Sequence, residues 1–436
     1  MFFDDYAKKW DTDRRINRAK IISEEIANSI DINKKYSVME FGCGTGLISF
    51  NLVEKFENIT LIDSSKGMID VVKEKIEKYE VDNMKPYAID LFNEEIIEKF
   101  DLIYTSMVLH HIQDIAGLAN RGWIIKNTLD TRFRIASVSK MFTSVAILQL
   151  IEKGQLDFET KVVEYLDLRD TKISNEVTVE NLLTHTSGIG DYFDESLGDE
   201  EWEKMWRDFP IYKMRSNLDY LPLFINKDQI NKPGEKYHYN GAGYILLGLI
   251  IEKASGISYF DYIRKNIFEK ADMKDSDFLS LDKVCDRVAE GYEVIRDSNK
   301  NVIGLEKNIY TSTPDGAADG GATSTAYDLV KFIQALRNNT LLGEKMSKEI
   351  FTPKVIDEET NGARGYTWMY GYGNSFVLDI EGKNIIRCGH TGEEYGVSCR
   401  LYYYLEKDIT VVILANQGWC AGTLGWDIHN VLSETY

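Results

Sequence analysis

The chain has little basic charge. Of its 436 residues, 70 are acidic and 51 are basic, so the formal net charge is −19. Residues 1–115 carry −7 of this charge and the rest carries −12, which leaves neither part with the basic surface typical of nucleic-acid-binding proteins. We therefore expect a small molecule and no nucleic acid as the partner, while an RNA-modifying enzyme without a basic face stays open as an alternative.

Cysteines and long apolar runs are scarce as well. The longest apolar stretch near the motifs described below, Tyr244–Ile251, is too short to cross a bilayer and predicts a buried helix. The start of the chain, Met1–Tyr6, is polar and acidic, unlike a secretory leader. We expect a cytoplasmic protein without a membrane span, or one whose leader was lost through gene fusion. An odd number of thiols without Cys-x-x-Cys spacing favours reduced cysteines over disulfides or zinc. The five are Cys43, Cys285, Cys388, Cys399 and Cys420.

A serine and a lysine three residues apart, Ser137 and Lys140, form the first chemical motif. Positions i and i+3 of a helix share a face, so the lysine amine can lie over the serine hydroxyl and take its proton. Apolar residues from Met141 to Ile151 predict the helix, and Gly154 predicts its end. Ser137 would open this helix, where unpaired N–H groups favour a developing oxyanion. Alone, the motif also fits a capping serine with a solvated lysine.

Five ordered blocks give this motif a family context. The segment Thr131–Lys140 resembles the nucleophile segment of class C beta-lactamases and of related D,D-peptidases and esterases, the penicillin-recognising serine hydrolases. The resemblance covers about residues 117–436, and it implies an α/β domain with an antiparallel sheet, a helical subdomain and no cofactor. The other four blocks, in the order of the family, are Asn181–Gly188, Pro233–Tyr239, Asp319–Thr325 and Gly389–Gly392.

The resemblance also implies a role for each matching residue. Ser137 would be the acylated nucleophile, and Lys140 would activate it. Tyr239 would pass protons to the leaving group and help to activate the deacylating water. The backbone N–H groups of Ser137 and Glu393 would form the oxyanion hole. The strand that lines the pocket of the family is matched by His390, Thr391 and Gly392.

Two positions depart from the family pattern. The asparagine of the Tyr-x-Asn motif is replaced by Gly241, which has no side chain to hold Lys140 or a substrate amide. Asn240 is adjacent and is kept as a pocket candidate, although in an extended segment it would point the other way. His390 stands where the third motif can have lysine, so we expect a site that titrates near neutrality. His185, by the same resemblance, would bond a turn and take no part in the chemistry.

The other end of the chain carries a glycine-rich turn. A predicted strand, Val38–Phe41, runs into the turn, and apolar residues from Leu47 onward predict a helix. Glycines let the backbone approach a ligand closely, and a helix start offers N–H donors. A second predicted strand, Ile59–Ile62, ends at Asp63, where a carboxylate can reach a ribose hydroxyl pair. The glycines of the turn are Gly42, Gly44 and Gly46.

This end resembles a class I S-adenosylmethionine-dependent methyltransferase. The resemblance implies that Glu40 and the glycine turn line the methionine and ribose part of the cofactor, that Asp63 holds the ribose hydroxyls and that Asp90 faces the adenine amine. A nicotinamide-binding unit is the rival, but Glu40 and the segment Leu109–His111 argue against it. The paired histidines have no carboxylate or thiol at ligand spacing, so we expect no metal site.

The two resemblances predict the domain organisation. With 436 residues and 44% apolar content, the chain can form two cores. We expect a truncated methyltransferase-like domain with a partial Rossmann-like sheet at residues 1–115. A beta-lactamase-like domain without its usual N-terminal helix and strands would follow at 116–436. The leading function is hydrolysis of small esters, D-amino-acid amides or beta-lactams. The alternatives are methyl transfer by the N-terminal half and a non-catalytic fusion product.

Overall fold

The chain divides into two units in the computed structural model, Met1–Ile115 and Ala116–Tyr436. Each unit is built around its own apolar core. The structure describes residues 7–29, 32–89, 100–105, 118–121, 125–193, 205–206, 209–298 and 301–435.

In the first unit, short apolar segments form a parallel four-stranded sheet in the order β3-β2-β1-β4. The strands are β1 Ser37–Phe41, β2 Asn58–Asp63, β3 Met84–Ala88 and β4 Leu102–Thr105. Val38 and Leu61, in the two central strands, have no exposed surface, as expected where parallel strands are covered on both faces. The strands predicted at 38–41 and 59–62 are therefore confirmed.

Amphipathic helices cover this sheet. The last of the three begins at Ser65, whose hydroxyl accepts the Met68 N–H at 3.2 Å, and it buries Met68, Ile69 and Val72 on one face. The helix predicted after the glycine turn is confirmed. The three are α1 Asp13–Ser29, α2 Leu47–Leu52 and α3 Lys66–Lys78.

The second unit is organised around an antiparallel six-stranded sheet in the order β11 to β16. All eight residues of β15 are buried, whereas those of β16, at the end of the sheet, are partly exposed. The remaining strands form two-stranded pairs: β5 with β6, β7 with β10 and β8 with β9. The bounds are β5 Leu118–Asn120, β6 Ile125–Lys126, β7 Phe133–Arg134, β8 Tyr292–Arg296, β9 Val302–Lys307, β10 Thr323–Ser324, β11 Val355–Ile356, β12 Thr367–Tyr370, β13 Ser375–Leu378, β14 Ile385–Glu394, β15 Val397–Tyr404 and β16 Ile409–Ala415.

Two of the helices in this unit are apolar on every side because they lie inside the core. The first follows the Ser-x-x-Lys motif and the second contains Tyr244–Ile251, so both predicted helices are confirmed. Within the described residues, no helix has the length and apolar character needed to cross a membrane. The bounds are α4 Lys140–Glu152, α5 Val162–Leu166, α6 Val179–Leu183, α7 Leu221–Phe224, α8 Gly241–Ser255, α9 Tyr259–Ile263, α10 Ala326–Arg337, α11 Glu344–Ile350 and α12 Ala421–Thr435.

Candidate active site

The nucleophile candidate, Ser137, lies in a single 3-10 turn that leads directly into α4. The residue before it, Ala136, has a φ of +44°, a conformation that residues with a Cβ rarely adopt. The Ala136 carbonyl accepts bonds from the Gly321 N–H at 3.3 Å and the Ser139 hydroxyl at 2.7 Å, and these bonds hold the turn. As a result Ser137 is partly exposed, while the residues on both sides of it are buried.

Lys140 lies directly behind the serine. Its Nζ is 3.1 Å from the Ser137 Oγ and 2.6 Å from the backbone oxygen of Asp319, and the residue is only 2% exposed. The rings of Tyr239 and Tyr244 lie 4.9 Å and 5.6 Å from the same nitrogen. The structure therefore brings together three of the predicted catalytic residues, and it holds the amine in a site with little water.

The loop that carries Tyr239 is fixed by His185. The His185 Nδ1 accepts the Asn240 N–H at 3.1 Å, and its ring lies 4.5 Å from the Tyr239 ring. Burial lowers the pKa of His185 well below its usual value, so the ring is neutral and can accept this bond. The geometry agrees with the structural role expected for His185.

Asn240, kept as a pocket candidate, points away from the pocket, the direction expected for its place in an extended segment. Its Oδ1 accepts the Gly243 N–H at 2.8 Å, and its Nδ2 donates to the Ile189 carbonyl at 2.9 Å. The side chain is the N-cap of α8, where a short amide satisfies a helix N–H that would otherwise lack a partner. Both polar atoms thus bond to backbone groups, and the residue is 2% exposed.

Strand β14 forms the wall opposite the nucleophile turn. A Cβ on Gly392 would lie 2.3 Å from the Ile135 carbonyl oxygen, so glycine is needed for this close approach. Thr391 is exposed beside it. The Glu393 carboxylate accepts from the Arg400 guanidinium at 2.7 Å, whereas the predicted oxyanion role concerns its backbone N–H. That role stays a prediction.

His390 lies in the same strand but is buried. Its Nε2 accepts the Tyr370 hydroxyl at 3.0 Å and its Nδ1 donates to the Thr391 carbonyl at 2.5 Å. Burial, together with the charge of Lys140, lowers the pKa of His390 to about 3. The expectation of titration near neutrality was wrong, because a side chain that looked pocket-facing in sequence packs into the core.

The low pKa of His390 leads to a prediction about the stability of the fold. An unfolded histidine has a pKa of about 6.5, so between pH 6.5 and 3 the unfolded state binds a proton that the folded state refuses, and His390 lowers the free energy of unfolding as pH falls. His390→Gln can keep both hydrogen bonds but cannot titrate, so its stability should fall less below pH 6.5. Urea unfolding from pH 4 to 8 measures this difference. Asp191, whose pKa burial raises to about 7, contributes an opposite slope that is common to both proteins. Equal slopes in the two proteins would contradict the assignment.

In the first unit, the glycine turn and Asp63 lie together at the carboxyl ends of β1 and β2. The three predicted glycines have φ values of +68°, +53° and +78°. The Gly44 N–H donates to the Asp63 Oδ2 at 2.8 Å, and the Gly42 N–H donates to the Ile62 carbonyl at 2.7 Å. The indole nitrogen of Trp10 lies 3.6 Å from the position that a Cβ on Gly44 would occupy. The turn, Asp63 and Trp10 thus surround one edge of the sheet.

Glu40 is the penultimate residue of β1, but its side chain points into the core, so its expected place in the lining of the cofactor site was wrong. It is 2% exposed, and its carboxylate accepts the Ser49 N–H at 3.2 Å and the Ser49 hydroxyl. Burial raises the pKa of Glu40 to about 8, so near neutral pH the group is largely protonated inside the core.

Asp90 and Leu109–His111 lie outside the described residues. Among the residues that are described, no group of three or more histidine, cysteine, aspartate or glutamate side chains could hold a metal ion.

Sequence reasoning missed three polar residues of the site. Asp191 accepts the Gly241 and Ala242 N–H groups at 2.6 Å and 3.0 Å, and the Tyr192 hydroxyl donates to the Asp319 carboxylate. A signal existed for all three, because Asp191 and Tyr192 come shortly after one family block and Asp319 opens another. The contacts themselves join residues far apart in the chain and could not be foreseen.

Comparison with known proteins finds two matching family models. The family model described as Beta-lactamase matches residues 104–418, and the model described as Methyltransferase domain matches residues 39–122. The crystal structure of a penicillin binding protein from Bacillus halodurans has 36% sequence identity and a TM-score of 0.66, and it covers 72% of this chain and 91% of its own.

Curated relatives point in the same direction. Penicillin-binding protein 4* of Bacillus subtilis is 31% identical over 326 residues, which are 73% of this chain and 66% of the relative. Esterase EstB of Burkholderia gladioli is 26% identical over 295 residues, which are 60% of this chain and 71% of the relative. The chain thus spans slightly less than two thirds of the length of the first of these proteins.

Proposed function

This chain belongs to the beta-lactamase family, and we propose that its Ala116–Tyr436 unit is a serine hydrolase that acts through an acyl-enzyme. The observation that carries the proposal is the 3.1 Å contact between Ser137 Oγ and Lys140 Nζ, behind a strained turn that exposes the serine. A nucleophile needs an adjacent base within hydrogen-bond reach, and this pair has that geometry.

The reaction follows from these positions. Ser137 Oγ bonds to the carbonyl carbon of the substrate as Lys140 Nζ takes the hydroxyl proton. The proton passes, with the help of Tyr239, to the leaving group as its bond to the acyl carbon breaks. Water then adds to the acyl-enzyme, its proton returns through the same groups, and a carboxylic acid and free Ser137 result. The N–H groups of Ser137 and Glu393 stabilise the oxyanion of both tetrahedral intermediates.

His390 takes a different part from the one its position in the motif implied. Because it is buried and bonded to Tyr370, it positions the wall of the pocket and moves no proton.

We also propose that this domain starts near residue 116 without the N-terminal strands of the family. In support, β16 has only β15 as a partner strand in the described part of the chain.

Substrates of this site are small esters, D-amino-acid amides or beta-lactams. The experiment is intact-protein mass spectrometry after incubation with a fluorophosphonate and, separately, with a penicillin. One covalent adduct per chain is expected from the fluorophosphonate, and a penicillin adduct would add beta-lactams to the substrate range. Absence of both adducts on protein shown to be folded would contradict the proposal and favour a non-catalytic fusion product.

A second function is supported by the first unit, whose residues match the methyltransferase-domain model. We propose that this unit binds S-adenosylmethionine, which would supply the methyl group for transfer. Asp63 and the glycine turn fit this cofactor because they lie together at the carboxyl edge of a parallel sheet, where nucleoside ligands bind. Glu40 does not contribute, since it is inside the core.

Calorimetric titration with S-adenosylmethionine should give measurable heat, and Asp63→Ala should abolish it because the ribose hydroxyls lose their acceptor. Asp70→Ala is the control, since it also removes one carboxylate but on the exposed side of α3. Far-ultraviolet circular dichroism must show that the glycine turn tolerates the loss of Asp63. Heat from both Asp63→Ala and Asp70→Ala would contradict cofactor binding at Asp63. So would the absence of heat from both variants and from the parent protein at millimolar cofactor.

A further inference from the structure

The space above Gly241 is filled by two other side chains. A Cβ on Gly241 would lie 3.0 Å from Tyr192 Cε1, 3.1 Å from the Tyr192 hydroxyl oxygen and 3.2 Å from Asp319 Oδ2. An asparagine side chain, which the related motif has at this position, would therefore fit only if both of these side chains moved aside. Next to Gly241, the polar groups are therefore the Tyr192 hydroxyl and the Asp319 carboxylate in place of an amide.

These two groups form a defined pair. The Tyr192 hydroxyl donates to Asp319 Oδ2. Burial and the Asp319 charge raise the pKa of Tyr192 well above its usual value, so the phenol keeps its proton and acts as the donor. The nearby Asp191 is occupied differently, because its two oxygens accept N–H groups at the start of α8.

Asp319 is also joined to the catalytic residues. Its backbone oxygen accepts from Lys140 Nζ at 2.6 Å, and that nitrogen lies 3.1 Å from Ser137 Oγ. The next residue, Gly320, packs on the nucleophile turn, where an added Cβ would lie 3.6 Å from the Ala136 carbonyl. Asp319 is 8% exposed, and its Oδ1 accepts no hydrogen bond from the described part of the chain. A carboxylate with acceptor capacity on one oxygen thus lies next to Gly241, on a residue whose backbone oxygen holds Lys140.

We propose that the Tyr192–Asp319 pair determines specificity and selects substrates that carry a protonated amine on the carbon next to the scissile carbonyl. An asparagine amide can both donate to and accept from an acylamino group, whereas an ionised carboxylate only accepts. A free ammonium gives Asp319 both charge and hydrogens, and a charge-assisted bond in a site with little water is among the stronger polar contacts. An N-acylated substrate offers neither. The inference rests on the proposed hydrolase function and names its substrate class: amides and esters of unacylated amino acids.

The test compares hydrolysis of D-alanine p-nitroanilide with that of its N-acetyl derivative. The parent protein should prefer the free amine by at least about tenfold in kcat/KM, the value of one charge-assisted hydrogen bond. Asp319→Asn keeps the shape and the contact with Tyr192 but removes the charge. It should slow the free-amine substrate by at least about tenfold and change the acetylated one by less than about threefold. Tyr192→Phe keeps the ring above Gly241 but removes the hydrogen bond that holds the Asp319 carboxylate in place. It should therefore raise KM for the free-amine substrate more than it changes kcat.

Two controls separate the possible failures. Glu381→Gln removes one carboxylate from an exposed turn and should leave the preference unchanged. Fluorophosphonate labelling needs no amine on the reagent, so absence of labelling in the parent protein would overturn the hydrolase function itself. Labelling together with a preference for the acetylated substrate would overturn only the specificity. An equal loss on both substrates in Asp319→Asn would show that Asp319 is merely structural, which also overturns it.

Discussion

Ser137→Ala is expected to remove all fluorophosphonate labelling and to lower kcat/KM for an ester substrate by at least about 10³-fold. The change deletes the only atom that forms the acyl bond, while the oxyanion donors and the pocket remain. Stability should change by less than about 1 kcal/mol, since the one hydrogen bond of the Ser137 hydroxyl within the described residues is from Lys140. Intact mass and urea unfolding of the same preparation measure the two effects.

Ser139→Ala is the matched control, two residues further along the same turn. Its hydroxyl donates to the Ala136 carbonyl at 2.7 Å and accepts the Ala322 N–H at 3.0 Å, so it braces the turn and does not face Lys140. We expect it to lose about 1–3 kcal/mol of stability because buried partners are left unpaired, yet to keep the adduct. An adduct that persisted in Ser137→Ala would place the nucleophile elsewhere in the chain.

Local features of the site were predictable because they depend on neighbours in the chain. An i,i+3 spacing brings the Ser137 hydroxyl and the Lys140 amine together in any helix, and the apolar run after them requires a buried one. The same holds for the glycine turn, where a strand, three glycines and a helix start follow one another. The edge position of Asp63 follows as well, because parallel strands end at a common edge.

Side-chain direction and burial were not predictable in this way. His390 is kept neutral mainly by burial, and the motif alone does not show that its ring turns inward toward Tyr370 on another strand. Asn240 was a pocket candidate by sequence, but α8 begins there and its side chain caps the helix. Tyr192 and Asp319, which take the place of the amide, contact each other although they are 127 positions apart in the chain. The sequence shows that Gly241 lacks a side chain, but only the fold shows what fills the space.

Lys140→Met is expected to slow acylation by about 10²- to 10⁴-fold, the usual contribution of a positioned general base. Its effect on stability should be small or even favourable. The parent residue places an amine in a site that is 2% exposed, which costs solvation, whereas methionine has a similar length and no charge. The opposing cost is the Asp319 carbonyl, which loses its partner and contributes about 1–3 kcal/mol of destabilisation.

The separation of the two effects is what identifies Lys140 as a catalytic base. If it only braced the fold, activity would fall in proportion to the folded fraction, and the folded molecules that remain would acylate at the parent rate. Time-resolved labelling of the folded fraction distinguishes these cases. Lys153→Met, at the far end of α4 where Nζ lies 3.4 Å from the Tyr262 hydroxyl, removes a lysine from the same helix and should acylate normally. Normal acylation in Lys140→Met would require a different base, and Tyr239, whose ring lies 4.9 Å from the same nitrogen, would be the next residue to change.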